Sequence, residues 1–319
     1  MRMMKVTMLK HPHSLQKEEL PPMSIALGFF DGVHMGHQQV IQTAKKIASE
    51  QKWKSAVMTF DPHPSVVLGR QHQTIRYITP LEEKIRMIDQ LGIDNLFVIR
   101  FTSDFANLEP QQFVDQYIIG LNVRHVVAGY DFTYGRCGKG TMDTLPMHSR
   151  NVFAITKVEK LEYNGEKVSS TRIRNLLTEG QIEEVNSLLG RPYRITGMVV
   201  HGDQRGRKIG FPTANVECDD YYILPNPGVY AVRMKVKDKW LNGVCNIGYR
   251  PTFKRPNEQS LSIEVHLFDF NHSIYGEEVV VEWHKRIRQE RKFNSVQDLV
   301  AQIEKDKQNA IFYFQNGVE

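Results

Sequence analysis

The chain has 319 residues, long for one domain, and its 41% hydrophobic and 24% charged content is that of a folded globular protein, so two domains are expected. A net charge of +5 suits anionic small molecules and does not by itself argue for a nucleic-acid partner. Cys137, Cys218 and Cys245 are far apart, odd in number and form no CxxC, which argues against a disulfide framework or a zinc site. No uncharged apolar run could span a bilayer, and Met1-Arg2-Met3-Met4-Lys5 lacks the apolar core of a signal peptide, so a cytoplasmic protein without membrane partners is expected.

The first predicted strand, residues 24–27, ends at Gly28, and a helical pattern begins at His37 with Val40, Ile41, Ala44, Ile47 and Ala48 on one face. Between them runs Gly28-Phe29-Phe30-Asp31-Gly32-Val33-His34-Met35-Gly36-His37. Two histidines thus stand at a strand-to-helix turn, beside free backbone N–H groups and the positive end of a helix dipole. That is an anion site, and phosphate is the anion such turns hold most often. Gly36 lets a phosphate approach the backbone while both imidazoles face one side of the turn. Two histidines that merely cap a helix are the alternative reading of the bare H-x-G-H spacing.

Further strand-like runs follow at 56–60, 96–101, 124–129 and 152–158, with helical patterns at 81–91 and 110–119. This alternation predicts a doubly wound parallel sheet, in which ligands bind beyond the carboxyl ends of the strands. Val168-Ser169-Ser170-Thr171-Arg172-Ile173-Arg174 supplies N-cap hydroxyls to a helix carrying Ile173, Leu176 and Leu177. It reads either as a capped helix with two solvated arginines or as a second phosphate grip.

The texture changes at Arg191, just after a helical segment over 182–189, and the domains are drawn as 1–185 and 186–319. Short β-branched and aromatic runs at 194–200, 228–236, 240–247, 261–268 and 278–283 predict an antiparallel barrel. Before the second of these runs stands Gly202-Asp203-Gln204-Arg205-Gly206-Arg207-Lys208-Ile209-Gly210-Phe211-Pro212-Thr213-Ala214-Asn215. Glycines and cations there suit phosphates, and Thr213 and Asn215 share one side of an extended segment as hard oxygen donors for Mg²⁺; a solvated hairpin loop is the rival. The run 285–292 is strongly basic, which reads as a solvated face or an RNA contact. A terminal helix carries the capping pair Ser295 and Asp298 and an apolar face of Val296, Leu299, Val300 and Ile303.

His34, His37 and the Ser169–Arg174 segment resemble the H-x-G-H nucleotidyltransferase superfamily, whose second motif is I-S-S-T-x-x-R. The likeness is closest to the adenylyltransferase module of bacterial bifunctional riboflavin kinase/FAD synthetases, with Thr59-Phe60-Asp61-Pro62-His63-Pro64 and Gly129-Tyr130-Asp131-Phe132-Thr133-Tyr134-Gly135 in support. The second half matches the riboflavin kinase signature G-R-x-x-G-F-P-T-A-N, with Pro227-Gly228-Val229-Tyr230, Asn246-Ile247-Gly248-Tyr249-Arg250-Pro251-Thr252-Phe253 and Ser262-Ile263-Glu264-Val265-His266. The resemblance implies a Rossmann-like nucleotidyltransferase domain followed by a β-barrel kinase domain. It implies phosphorylation of riboflavin to FMN and adenylylation of FMN to FAD, both with ATP and Mg²⁺.

By residue, the resemblance implies catalytic roles for Glu264, His34, His37 and Arg174. It implies ATP contacts at Gly28, Phe29, Asp31, Gly32, Gly36, Ser169, Ser170 and Thr171, and in the second half at Gly206, Arg207, Gly210 and Pro212. Flavin contacts fall at Asp131, Phe132, Arg288 and Phe293, with 285–293 as a lid over the isoalloxazine ring, and metal contacts at Thr213 and Asn215. His63 is a substrate contact or a histidine ordered by its flanking prolines. A class I aminoacyl-tRNA synthetase would show a K-M-S-K-S-type loop where Ser169-Ser170-Thr171 stands. A flavin-sensing regulator that binds nucleic acid would show damage at His34, His37, Thr213, Asn215 or Glu264, and all are present. The oligomeric state is not readable from these residues.

Overall fold

The computed structural model describes residues 3–69, 75–202, 204–251 and 259–316. The chain divides into two compact units, Met1–Ser170 and Thr171–Glu319.

The first unit is built on a six-stranded sheet of β1 (Lys5–Leu9), β2 (Met23–Leu27), β3 (Lys54–Asp61), β4 (Asn95–Arg100), β5 (Val123–Gly129) and β6 (Ala154–Val158). The order is β1-β4-β3-β2-β5-β6, and every neighbouring pair is parallel. Such strands must be apolar on both sides because helices cover both faces, and β2 is buried along its whole length. One face receives Val40, Ile41 and Ala44 of α1 (Met35–Gln51) with Met87 and Ile88 of α2 (Leu81–Gln90). The other receives Phe105, Phe113, Tyr117 and Leu145. The doubly wound expectation holds. The expected helix at 110–119 is α-helical only over Pro110–Phe113 and continues as a wider π turn over Val114–Ile119. β1 gives no clear sequence signal because it is an edge strand, with only Leu9 of its residues buried.

In the second unit, α3 (Ser170–Glu179) leads to α4 (Ile182–Leu189) and then to a closed barrel. Its strands are β7 (Tyr193–Val200), β8 (Ala214–Cys218), β9 (Gly228–Val236), β10 (Lys239–Pro251), β11 (Gln259–Leu267) and β12 (Glu278–Gln289), paired antiparallel in the order β7-β8-β11-β10-β9-β12 and back to β7. Alternation sorts the two faces. Cys245 and Ile247 lie opposite Val265 and Ile263, all fully or nearly fully buried inside the barrel. Val244, on the other face, packs with Val229 and Ala231 against Ala310 of α5 (Val296–Asn316).

Two expectations need correction here. Ser295 Oγ does accept the Asp298 N–H at 3.1 Å, but Val296 is 58% exposed. The helix packs through its second half, where small Ala310 permits close approach and Tyr313 and Phe314 flank it. The basic run is also not a free lid, because residues up to Gln289 belong to β12, with Arg286 donating to the Glu179 and Pro227 carbonyls.

Candidate active sites

Three sequence motifs of the first unit emerge side by side. Leu27 pairs with Met58 on one side and Ala128 on the other, so the segments after β2, β3 and β5 leave adjacent strands at their carboxyl ends. This is the crevice where the strand order reverses. α1 begins at Met35, two residues earlier than the periodicity suggested, because His34 itself is the N-cap. Its Nδ1 accepts the His37 N–H at 3.2 Å, so neutral His34 carries its proton on Nε2. The two imidazoles stack with centroids 3.5 Å apart, and His34 is buried while His37 is half-buried. A Cβ at Gly36 would sit 3.3 Å from the His34 ring, so the glycine makes room for the histidine. Capping and ligand holding are therefore compatible roles of one residue.

The turn is held from below. Asp31, 2% exposed, accepts the backbone N–H groups of Thr79 and Ile78 at 3.0 and 3.3 Å, and the Gly32 N–H donates to Thr79 Oγ1 at 2.7 Å. Ser170 Oγ donates to the Asp31 carbonyl at 2.8 Å, which joins the Ser169-Ser170 segment to the histidine turn. Ser169 and Ser170 are half-buried beside Val168. Thr171 and Arg174 continue along α3, where Thr171 is exposed and Arg174 half-buried. Arg172 is not a solvated arginine: its side chain is 15% exposed and paired with Glu184.

The Phe29 carbonyl receives both Thr59 Oγ1 and Lys84 Nζ at 2.8 Å. Burial pulls the Lys84 ammonium down to about 8, while Asp31 and Asp61 oppose that shift. Lys84 escaped the sequence reading, although a lysine in register with Leu81, Met87 and Ile88 on an apolar helix face was the available signal. Phe29 also carries His63 edge-on at 4.4 Å, and His63 Nδ1 caps the short helix Pro64–Leu68 by accepting the Ser65 N–H. Beyond β5, exposed Asp131 pairs with Lys167 at 2.6 Å, and Phe132 stacks on Tyr134. Burial lowers the Lys167 ammonium, but bonding to Asp131 and Tyr130 outweighs it and holds the group above its ordinary range.

In the second unit, β-register brings the predicted residues together. On the barrel face that α5 also packs against, Asn215 pairs with Glu264, Glu264 with Asn246, Asn246 with Val229, and Val229 with Arg288. Cross-strand partners present their side chains on the same face, so Asn215, Glu264 and Asn246 form one polar cluster. Asn215 is buried, and a Cβ at Gly202 would lie 2.2 to 2.6 Å from its amide atoms, so only glycine leaves the amide its place. Thr213 is half-buried, Pro212 is exposed, and the Pro212 carbonyl accepts His266 Nδ1 at 2.8 Å. Burial holds the His266 imidazole below its ordinary value.

Gly206 and Arg207 lie in the short helix Arg205–Lys208, with Gly210 beyond it at a φ of +90°. Arg288 forms two hydrogen bonds with buried Asp306 of α5, and its guanidinium lies 5.6 Å from the Phe293 ring, so these two predicted flavin contacts are neighbours. Asn246 and Asp306 were not singled out by sequence. Of the quoted motifs, Asp203, Thr252 and Phe253 lie outside the described residues. Among the described residues no cluster of three or more His, Cys, Asp or Glu could hold a metal ion.

Comparison with known proteins gives the two halves separate matches. A family model described as FAD synthetase matches residues 16–172, and one described as riboflavin kinase matches residues 189–314. The bifunctional riboflavin kinase/FMN adenylyltransferase of Bacillus subtilis (strain 168) is 56% identical over 313 residues, covering 98% of this chain and 99% of that protein. The Listeria monocytogenes protein of the same name is 48% identical over 311 residues, covering 98% of each chain. A crystal structure described as a macrolide-efflux protein from Streptococcus pneumoniae superposes with a TM-score of 0.86 at 34% identity, covering 98% of this chain and 99% of that one. The efflux description stays with that protein; here, among the described residues, no helix is long and apolar enough to cross a membrane. With both enzyme modules present and relatives that match it almost end to end, the chain belongs to the bifunctional riboflavin kinase/FMN adenylyltransferase family, its FAD synthetase module N-terminal and its riboflavin kinase module C-terminal.

Proposed function

We propose that the two activities reside in the two clusters just described, each working by placement of ATP against an oxygen nucleophile. In the riboflavin kinase module, Glu264 takes the proton from the ribityl 5′-hydroxyl as that oxygen attacks the γ-phosphate of ATP, breaking its bond to the β,γ-bridging oxygen and releasing ADP. The observation that carries this reading is the cross-strand row Asn215, Glu264, Asn246. It places a carboxylate between two amides on the barrel face that also carries Arg288. Gly206, Arg207, Gly210 and Pro212 line the ATP phosphates, and Arg288 with Phe293 borders the flavin. The oxygens of Thr213 and Asn215, beside the Glu264 carboxylate, are a donor set that fits Mg²⁺. Bound there with ATP, Mg²⁺ would offset phosphate charge.

In the FAD synthetase module, the FMN phosphate is already a nucleophile and needs no strong base. It attacks the α-phosphate of ATP and expels pyrophosphate. His34 and His37, with the backbone of Gly28, Phe29, Asp31, Gly32 and Gly36, hold the ATP phosphates at the start of α1. Ser169, Ser170 and Thr171 add hydroxyls, and Arg174 takes the leaving pyrophosphate. Asp131 and Phe132 stand toward the flavin substrate. The three free cysteines, with Cys245 buried and Cys137 exposed, support a reducing cytoplasmic setting, and the partners are small molecules.

The test is separability. The protein is incubated with riboflavin, ATP and Mg²⁺, and flavins are resolved chromatographically. Glu264→Ala is expected to lower FMN formation by about 10²-fold or more while conversion of added FMN to FAD persists. His37→Ala is expected to do the reverse. Loss of both activities in either folded variant would contradict the two-site assignment.

A further inference from the structure

A buried ammonium beneath the histidine turn has no role in the chemistry described so far. Lys84 of α2 is 2% exposed, its Nζ donates to the Phe29 carbonyl at 2.8 Å and to Thr59 Oγ1 at 3.3 Å, and it lies 4.1 Å from the centroid of the Phe29 ring. Burying a lysine head group is unfavourable, and a methionine would fill the same space on an apolar face without that penalty. The charge therefore needs a reason, and its contacts give one. The segment it grips is the start of a strained turn: Phe30 and Val33 take φ of +55° and +41° on either side of Gly32. Nothing in the intrinsic preferences of Phe or Val holds that shape. The lysine and Thr59 fix the turn at its first carbonyl, while Asp31 is fixed by Thr79 and Ile78.

We propose that Lys84 is a positioning residue for adenylyl transfer, whose protonated head group holds the Phe29 carbonyl and so keeps the 29–34 turn in the shape that presents His34 and His37 to ATP. The proposal rests on that turn being the ATP grip. The charged groups facing Lys84 are Asp31 from the turn and Asp61 from the end of β3, while Glu83 on its own helix pairs with Arg86. Its pKa of about 8 places loss of the proton within reach of ordinary assays, so the turn should loosen as pH rises through that value.

The experiment uses the full chain and reads both activities, with riboflavin phosphorylation as the internal control. Lys84→Met should lower FAD formation from FMN by about tenfold, mainly through a raised KM for ATP, and leave FMN formation within about twofold of the parent. Lys84→Arg should restore FAD formation near neutral pH and move its alkaline fall-off up by about one pH unit or more, since guanidinium stays charged. Thr59→Val, which removes one of the two donors to the Phe29 carbonyl, should raise the same KM.

If Lys84→Met matches the parent, or if the parent and Lys84→Arg share one alkaline limb, the proposal is overturned. Should the Met variant fail to fold, the comparison of the parent with Lys84→Arg decides alone. His37→Ala run in parallel separates the two levels. Its retaining FAD formation removes the reading of the turn, whereas its loss beside an unaffected Lys84→Met removes only the role of the lysine.

Discussion

Asn246 stands directly across from Glu264 on the neighbouring strand, and Asn215 stands across on the other side. An amide beside the proposed general base can orient its carboxylate or the substrate hydroxyl, and Asn246→Ala is expected to lower kcat for riboflavin phosphorylation by about tenfold, worth ~1.4 kcal/mol in the barrier. Steady-state kinetics with FAD formation as a control checks this. Gly202→Ala should act on the same cluster by displacing Asn215 and should impair phosphorylation while the barrel stays folded by circular dichroism. His34 combines an observed cap with a proposed site role, and the two can be pulled apart. His34→Ala should cost about 1 kcal/mol of stability by uncapping α1, and His34→Asn should recover that stability without recovering FAD formation. At this scale the sequence was readable wherever the chemistry is local. H-x-G-H, Ser-Ser-Thr and Thr213-x-Asn215 are each set within a few residues. Asn246 and Lys84 were not readable, because each acquires meaning only from a partner on another strand or beneath another turn.

Among the elements, ends and joints are fastened by single polar side chains that can be tested one at a time. Asn186 of α4 donates to the Trp283 carbonyl at 2.8 Å and accepts the Tyr193 N–H at 2.7 Å, tying the helix to β7 and β12. Asn186→Ala leaves both backbone groups without that partner and should destabilise the second unit by roughly 1–3 kcal/mol, measured by urea unfolding. In the first unit Asp94 binds Lys54 Nζ, Ser55 N and Ser55 Oγ at 2.9 to 3.0 Å at the start of β3. Burial alone would raise this carboxyl, but the bonds from Lys54 and Ser55 outweigh it and the group lies below its ordinary value of 3.8. A carboxyl depressed on folding stabilises fully above its unfolded pKa, and that contribution fades as pH falls through the folded one. The midpoint for urea unfolding of the first unit should therefore drop below about pH 4, and Asp94→Asn should flatten that part of the profile. Most strands and helices were legible from periodicity. Among the strands of the parallel sheet and the barrel, the exceptions have weak or non-local cues: edge strand β1, and β8, readable only as an extended segment inside the Gly202–Asn215 motif.

As a whole molecule, the chain carries its thiols in different surroundings, which makes them reporters of the two units. Cys137 in the first unit is exposed. In the barrel, burial pushes the Cys218 thiol up to about 11, with Asp219 and Asp220 adding to the effect, and burial raises the Cys245 thiol further. A thiol-reactive probe near neutral pH should label Cys137 in the native protein and reach Cys245 only when the barrel opens, as read by mass spectrometry along a urea series. The division of labour between halves was legible because motif order and texture change together near Arg191; the packing of α5 was not, because its contacts depend on where a curved sheet meets the helix.

The two sheets also differ in how they end. The barrel closes β12 on β7 and leaves no strand without a neighbour, whereas the parallel sheet is open, with β1 at one edge and β6 at the other. Behind β1 lies β4, four of whose residues, Leu96–Ile99, are buried. The N-terminal strand thus acts as a shield against templated strand addition by another chain, with Lys5 and exposed Met8 at the border. Removing residues 1–10 would bare an apolar edge, and concentration-dependent light scattering from that variant, absent in the full chain, is the expected sign. Self-association of this enzyme should begin in its FAD-forming half, with the kinase barrel as a bystander.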